Sequence, residues 1–300
     1  MHQHPQGIEI EINSHCNMAC DYCPNSIDSR IEQGEIEFDL YLKIMNQLKE
    51  KNYKGQISFS FYNEPLLCTN FNKIIEATHK YLPDCFMTLY TNGTLINSQK
   101  RAIELINLGI GEIIVTKHED VKNFKFENVY HELPDKFKIK YTLKSHTDLK
   151  LTNRGGSLKH LGLRASGNIP CRIPYIMMTV TIKGNVLSCF EDYKQENITG
   201  NVKDENILDI WNNKSFSKFR KNLLAGKRHL YNICKNCNRI DEDLQEENEI
   251  NLKYKEKHFL GSEEINAVTK IIESGKLFRY QSTAGECSLA EKEFADKIDS

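Results

Sequence analysis

The chain has 300 residues, with 40 Lys and Arg against 41 Asp and Glu and a formal charge of -1. That length leaves room for one large or two ordinary domains around a substantial core, and near-neutrality excludes the general basic field of a nucleic-acid binder. Ten cysteines stand out; neither a secretory leader nor a run long enough to span a bilayer accompanies them, so the expectation is a cytoplasmic protein whose reduced thiols serve as ligands.

Residues 7–13 read as a strand leading into CNMACDYC, which sets Cys16, Cys20 and Cys23 in a CxxxCxxC pattern. Three thiolates on one loop leave a single metal ion short of a ligand. Zinc prefers pairs that close a tetrahedron, and His15, adjacent to Cys16, is poorly placed to complete one. A 4Fe–4S cluster on three thiolates instead keeps one iron open to a small chelating ligand.

Phe38, Tyr41, Leu42, Met45 and Leu48 then recur at helical spacing, the mark of a core-facing helix. The run 57–62 reads as a buried strand stopped at Asn63-Glu64-Pro65. A helix over Phe71–Tyr81, a strand over 85–90 and the turn Thr91-Asn92-Gly93 follow. Ser98 caps a third helix that turns Ala102, Leu105 and Ile106 inward and ends at Gly109, and 112–116 and 137–143 are strand-like. This βαβα alternation predicts a parallel sheet or partial barrel. Its rim collects the cysteine loop, Asn63-Glu64-Pro65, Asn92 and Lys117-His118. His118, Glu119 and Asp120 face either the site or solvent, as does Arg154; Cys68 and Cys85 read as small core residues.

A second set, Cys171, Cys189, Cys234 and Cys237, surrounds a predicted hairpin of 177–182 and 185–188 joined at Lys183-Gly184. Four thiols including a CxxC suit structural zinc as well as a closed iron–sulfur cluster.

The order of motifs resembles the radical S-adenosylmethionine enzymes, whose CxxxCxΦC signature is met by Cys16, Cys20, Tyr22 and Cys23. The resemblance implies an α/β fold, a partial (β/α)6 TIM-like barrel over 1–156. It also implies a cluster on those three cysteines that binds S-adenosylmethionine, cleaves it on one-electron reduction and yields a 5′-deoxyadenosyl radical that takes hydrogen from substrate. Tyr62-Asn63-Glu64-Pro65 is similar to the family's GGEP motif without its glycines. By that likeness Asn63 and Glu64 lie at the methionine amino group, Tyr22 by the adenine, and Asn92 by the ribose or carboxylate. Cys171, Gly184, Cys189 and Cys234-x-x-Cys237 resemble the SPASM domain in its shortened Twitch form, a small α+β auxiliary-cluster domain over 157–240. The implied auxiliary 4Fe–4S cluster handles electrons or supports structure.

Residues 241–257 have the composition of a charged linker, and 258–300 resemble the opening of DegT-type sugar aminotransferases. That tail points to an amino sugar or aminocyclitol as the small-molecule substrate, oxidised or deaminated, with an external one-electron donor such as flavodoxin or ferredoxin. The alternatives are modification of a peptide or protein side chain and a non-catalytic zinc or iron–sulfur protein.

Overall fold

The computed structural model describes residues 4–118, 124–162 and 169–239; Glu119, Asp120, the linker 241–257 and the tail 258–300 lie outside the described residues. Five parallel strands form the first half: β1 (Gly7–Ile10), β2 (Gln56–Ser58), β3 (Phe86–Thr91), β4 (Glu112–Lys117) and β5 (Tyr141–Ser145). A sixth, β6 (Met177–Val180), lies parallel to β1 on the far edge, followed by antiparallel β7 (Asn185–Leu187) and β8 (Ile198–Asn201), giving the order β5-β4-β3-β2-β1-β6-β7-β8. The sheet is open and mainly parallel, as a partial barrel requires. Its sixth parallel strand comes from the cysteine hairpin, which extends the sheet, and the described residues all fall within one compact unit.

Ile8 sits between Ile57 of β2 and Met178 of β6, all three fully buried, because helices cover a parallel sheet. The short helix α1 (Pro24–Ile27) follows the first cysteines. Helix α2 (Phe38–Glu50) buries Leu40, Tyr41, Ile44, Met45 and Leu48; Phe38 and Leu42 flank that stripe, half-buried. Helices α3 (Phe71–Tyr81) and α4 (Gln99–Asn107) continue the alternation, with Ser98 capping α4 through Arg101 N. Helix α5 (Lys125–Glu132) leads to α6 (Asp135–Lys138). The expected strand over 137–143 therefore starts late: Pro134 opens a helical turn through Phe137 and its carbonyl accepts from Phe137 N at 2.9 Å.

Beyond β5 lie α7 (Ile173–Ile176), α8 (Ile207–Asn212), α9 (Lys214–Leu224) and α10 (Asn232–Lys235). The β6–β7 turn needs Gly184, whose φ is 87° and whose absent Cβ would come 2.9 Å from Val202 Cγ2. No described helix is long and apolar enough to cross a membrane.

Candidate active site

Because β1 to β6 run parallel, their carboxyl ends share one edge, where loops assemble a site. The loop after β1 carries Cys16, Cys20 and Cys23, all half-buried. Cys23 opens α1 with Pro24 behind it, and its N–H donates to Cys20 O at 3.1 Å. The loop is pinned at its root: Asn13 Nδ2 donates to Glu64 O at 3.1 Å, and Glu64 N donates to His15 O at 2.7 Å.

The Glu64 carboxylate, 1% exposed, accepts from Leu66 N at 3.1 Å, Thr91 Oγ1 at 2.8 Å and Asn92 N at 2.7 Å. Burial raises its pKa while these bonds oppose the shift. Asn63 folds onto its own turn, accepting from Phe61 N at 2.9 Å and donating to Phe59 O at 3.3 Å, which takes 59–62 out of the expected strand. Both side chains are occupied by the chain, so what this motif offers a ligand is backbone. Tyr62 turns away, donating to Phe190 O at 3.0 Å. Asn92 faces the cysteine loop, donating to Asn17 Oδ1 at 2.8 Å with Cys16 Sγ 4.0 Å away.

Tyr22 is buried and its hydroxyl lies 2.5 Å from His118 Nδ1. Burial, then the charge of His146, lowers the His118 pKa. The aromatic of the cysteine motif is thus tied to the residue that follows β4.

The second set is separate. β7 runs antiparallel, so the chain leaves the sheet toward Cys189 from the edge opposite the rim, and Cys171, Cys189, Cys234 and Cys237, all buried, line one cavity with Glu191, Arg228 and Arg239. The segment after Cys189 returns to the first set: Tyr193 packs with Phe61, Tyr62 and Cys23, and Tyr193 Oη donates to Asp28 O at 2.9 Å.

A polar group lies between the sets; of its members the sequence singled out Arg154 alone. Glu9 of β1 is half-buried and accepts from Thr179 Oγ1 at 3.3 Å and Ser60 Oγ at 3.4 Å; burial pushes its pKa up to about 8. Glu191, 2% exposed, is bonded by Arg239 Nε at 2.9 Å and Thr152 Oγ1 at 3.0 Å, with Arg154 Nη1 at 3.7 Å. Arg154 adopts φ 48°, uncommon for a residue with a side chain, and its Nε is buried without a partner. Such a backbone and a buried donor left unpaired are features that structures rarely keep without a reason. Isolated Glu and Thr in strands carry no sequence signal for such a role.

Residues 10–119 match the model of the radical SAM superfamily, and 171–238 match the SPASM iron–sulfur cluster-binding domain. The S-adenosyl-L-methionine-dependent 2-deoxy-scyllo-inosamine dehydrogenase of Niallia circulans is 42% identical over 240 residues, 80% of this chain and 95% of that protein. The chain belongs to the radical SAM superfamily. The crystal structure of BtrN in complex with AdoMet and 2-DOIA has 42% sequence identity and a TM-score of 0.75, covering 80% of this chain and 96% of that one. A cofactor-modifying protein for tungsten-containing aldehyde ferredoxin oxidoreductase from Pyrococcus furiosus is 29% identical over 103 residues, 34% of this chain and 28% of that protein. AdoMet-bound anSMEcpe, 16% identical with a TM-score of 0.52, covering 79% of this chain and 86% of its own, shares the fold.

This radical SAM protein is therefore an enzyme that uses S-adenosylmethionine and 4Fe–4S clusters, one for the radical and one auxiliary. Its cysteines fit such groups. Cys16, Cys20 and Cys23 lie close enough to act on one another electrostatically, and Cys171, Cys189, Cys234 and Cys237 line one cavity. Burial pushes the Cys23 and Cys237 thiols up to about 11 and raises Cys16, Cys20, Cys189 and Cys234 as well. A cationic iron core would offset that burial and hold them as thiolates.

Proposed function

We propose that this enzyme dehydrogenates an aminocyclitol, with 2-deoxy-scyllo-inosamine, the compound named for its relative, as the first candidate. Cys16, Cys20 and Cys23 would hold the cluster whose open iron takes S-adenosylmethionine and supplies the 5′-deoxyadenosyl radical; Cys171, Cys189, Cys234 and Cys237 would hold the auxiliary cluster. Overall, an alcohol carbon loses a hydrogen atom to that radical and then a proton and an electron, leaving a ketone.

The observation that carries the reading is the Glu9–Arg154–Glu191 group between the cysteine sets. Glu9, held protonated near neutrality, meets an ammonium by releasing its proton, while Arg154 offers its unpaired Nε to a hydroxyl. Tyr22, tied to His118, would bound the adenine side; Asn92, beside Cys16, and the backbone of Asn63 and Glu64 would face the methionine part. A flavodoxin or ferredoxin is the proposed electron donor, which suits a cytoplasmic enzyme.

The test is an anaerobic assay of the reconstituted enzyme with S-adenosylmethionine, a reductant and 2-deoxy-scyllo-inosamine. Ketone and 5′-deoxyadenosine appear together if the reading is right; 5′-deoxyadenosine released no faster than without substrate ends it.

A further inference from the structure

Arg228 follows α9 and is 2% exposed. Its Nε donates to Ile169 O at 2.9 Å, Nη1 to Arg239 O at 2.7 Å and Nη2 to Pro170 O at 2.9 Å. Each of these partners is a backbone carbonyl, and among the described residues none is a carboxylate. Arg239, in the same cavity wall, differs, since its charge is matched by Glu191. A buried guanidinium without an anion is costly, and proteins keep one where an anion faces it.

The wall in which Arg228 sits is the four-cysteine cavity. Cys234 and Cys237 line that same cavity with it. The cavity's one carboxylate, Glu191, is already bonded by Arg239; four thiolates around an iron–sulfur core would set a net anion before Arg228, one charge more negative when reduced.

We propose that Arg228 is the counter-charge of the auxiliary cluster, favouring its reduced state and so setting how readily it takes an electron. This rests on the reading that Cys171, Cys189, Cys234 and Cys237 hold that cluster. Cluster potentials respond to nearby charge and hydrogen bonding, and the cavity's seclusion from water leaves the Arg228 charge little screened. The step itself is a one-electron reduction, with the electron taken from an external reductant and no bond made or broken.

The experiment is an anaerobic redox titration of the full reconstituted chain followed by electron paramagnetic resonance, with iron counted in parallel. The auxiliary signal is the one that added S-adenosylmethionine leaves unchanged. Arg228→Gln is expected to keep both clusters while its auxiliary reduction equilibrium falls at least tenfold, about 59 mV for a one-electron couple. Lys100→Gln, on the exposed part of α4, leaves it in place. Arg228→Gln with both clusters and an unmoved potential overturns the proposal.

If Arg228→Gln does not fold, Arg228→Lys decides, because it keeps the charge but loses the fork onto three carbonyls. A retained potential supports the charge; a tenfold fall overturns it. A wild-type chain with only the radical cluster overturns the four-cysteine reading itself, and that outcome is distinct because no auxiliary signal exists to titrate.

Discussion

The Tyr62 hydroxyl donates to the carbonyl oxygen of Phe190 at 3.0 Å, joining the turn before Asn63-Glu64-Pro65 to the residue after Cys189. A rim turn and the segment after the hairpin are therefore joined by a part-buried bond, with the Tyr62 and Tyr193 rings 5.2 Å apart beside it. Tyr62→Phe keeps the ring contact and leaves the Phe190 carbonyl unpaired, a loss of about 1 kcal/mol. The expected outcome is a small fall in Tm and a larger fall in product formed per 5′-deoxyadenosine released, measured by quantifying both in one anaerobic assay.

The cysteine sets have separable roles. Cys20→Ala is expected to abolish S-adenosylmethionine cleavage. Cys234→Ala is expected to leave some cleavage while ketone formation drops about tenfold or more, since the second electron of the oxidation loses its acceptor. Iron content reads the same division, with about eight irons per wild-type chain and roughly four in a chain deprived of its auxiliary set. Equal loss of cleavage and product in Cys234→Ala counts against electron handling there.

Much of this was legible in the sequence where chemistry imposes spacing. CxxxCxxC, the CxxC at Cys234 and Cys237 and the strand–helix alternation all survive as short-range patterns. What was not legible is long-range. Nothing near Met177 says that β6 will pair with β1 rather than extend past β5, because that choice rests on burying Met178 and Val180 against Ile8 and Ile10. The Glu64 carboxylate binds Thr91 and Asn92, a bond set that only strand order reveals. Glu9 is met by Thr179, 170 residues away, a contact that nothing near it in the chain foretells.

Glu9 also gives the enzyme a pH signature. Burial raises its folded pKa from 4.5 to about 8, so its contribution to stability is complete below the unfolded value and is lost as pH rises through about 8. Glu9→Gln removes that dependence, flattening Tm between these limits. An ammonium ligand pulls the pKa back down, so binding near pH 7 releases close to one proton from the wild type. Calorimetry in buffers of different ionisation enthalpy measures it, and Glu9→Gln is expected to release none from this group and to bind several-fold more weakly.

Gly155 is a backbone requirement next to Arg154. Its φ is 62°, and an added Cβ would sit 3.0 Å from Glu191 O and 3.1 Å from Ile233 O. Neither contact is a flexible side-chain tip. Gly155→Ala is expected to cost about 1–3 kcal/mol from conformation and crowding, read as a lowered midpoint in chemical unfolding. Because the strain falls between Arg154 and the segment carrying Glu191, product formation is expected to fall further than S-adenosylmethionine cleavage.

The exit of the radical-cluster loop depends on a buried ion pair. Arg30 pairs with Glu11, whose side chain is fully buried, and lies over the Phe61 and Tyr193 rings at 5.9 and 5.6 Å. The other Glu11 oxygen accepts from Ile182 N at 3.2 Å, so the pair links β1, the loop after Cys23 and the hairpin turn. Removing one partner strands a charge in the interior, at a cost of about 3–5 kcal/mol. Arg30→Met and Glu11→Gln are each expected to unfold early and to lose iron from the radical cluster before the auxiliary one. The double variant is expected to recover much of the stability, because no charge is left unpaired. A double-mutant cycle in urea, with iron counted for each protein, measures this coupling; additive losses would show that Arg30 and Glu11 act independently.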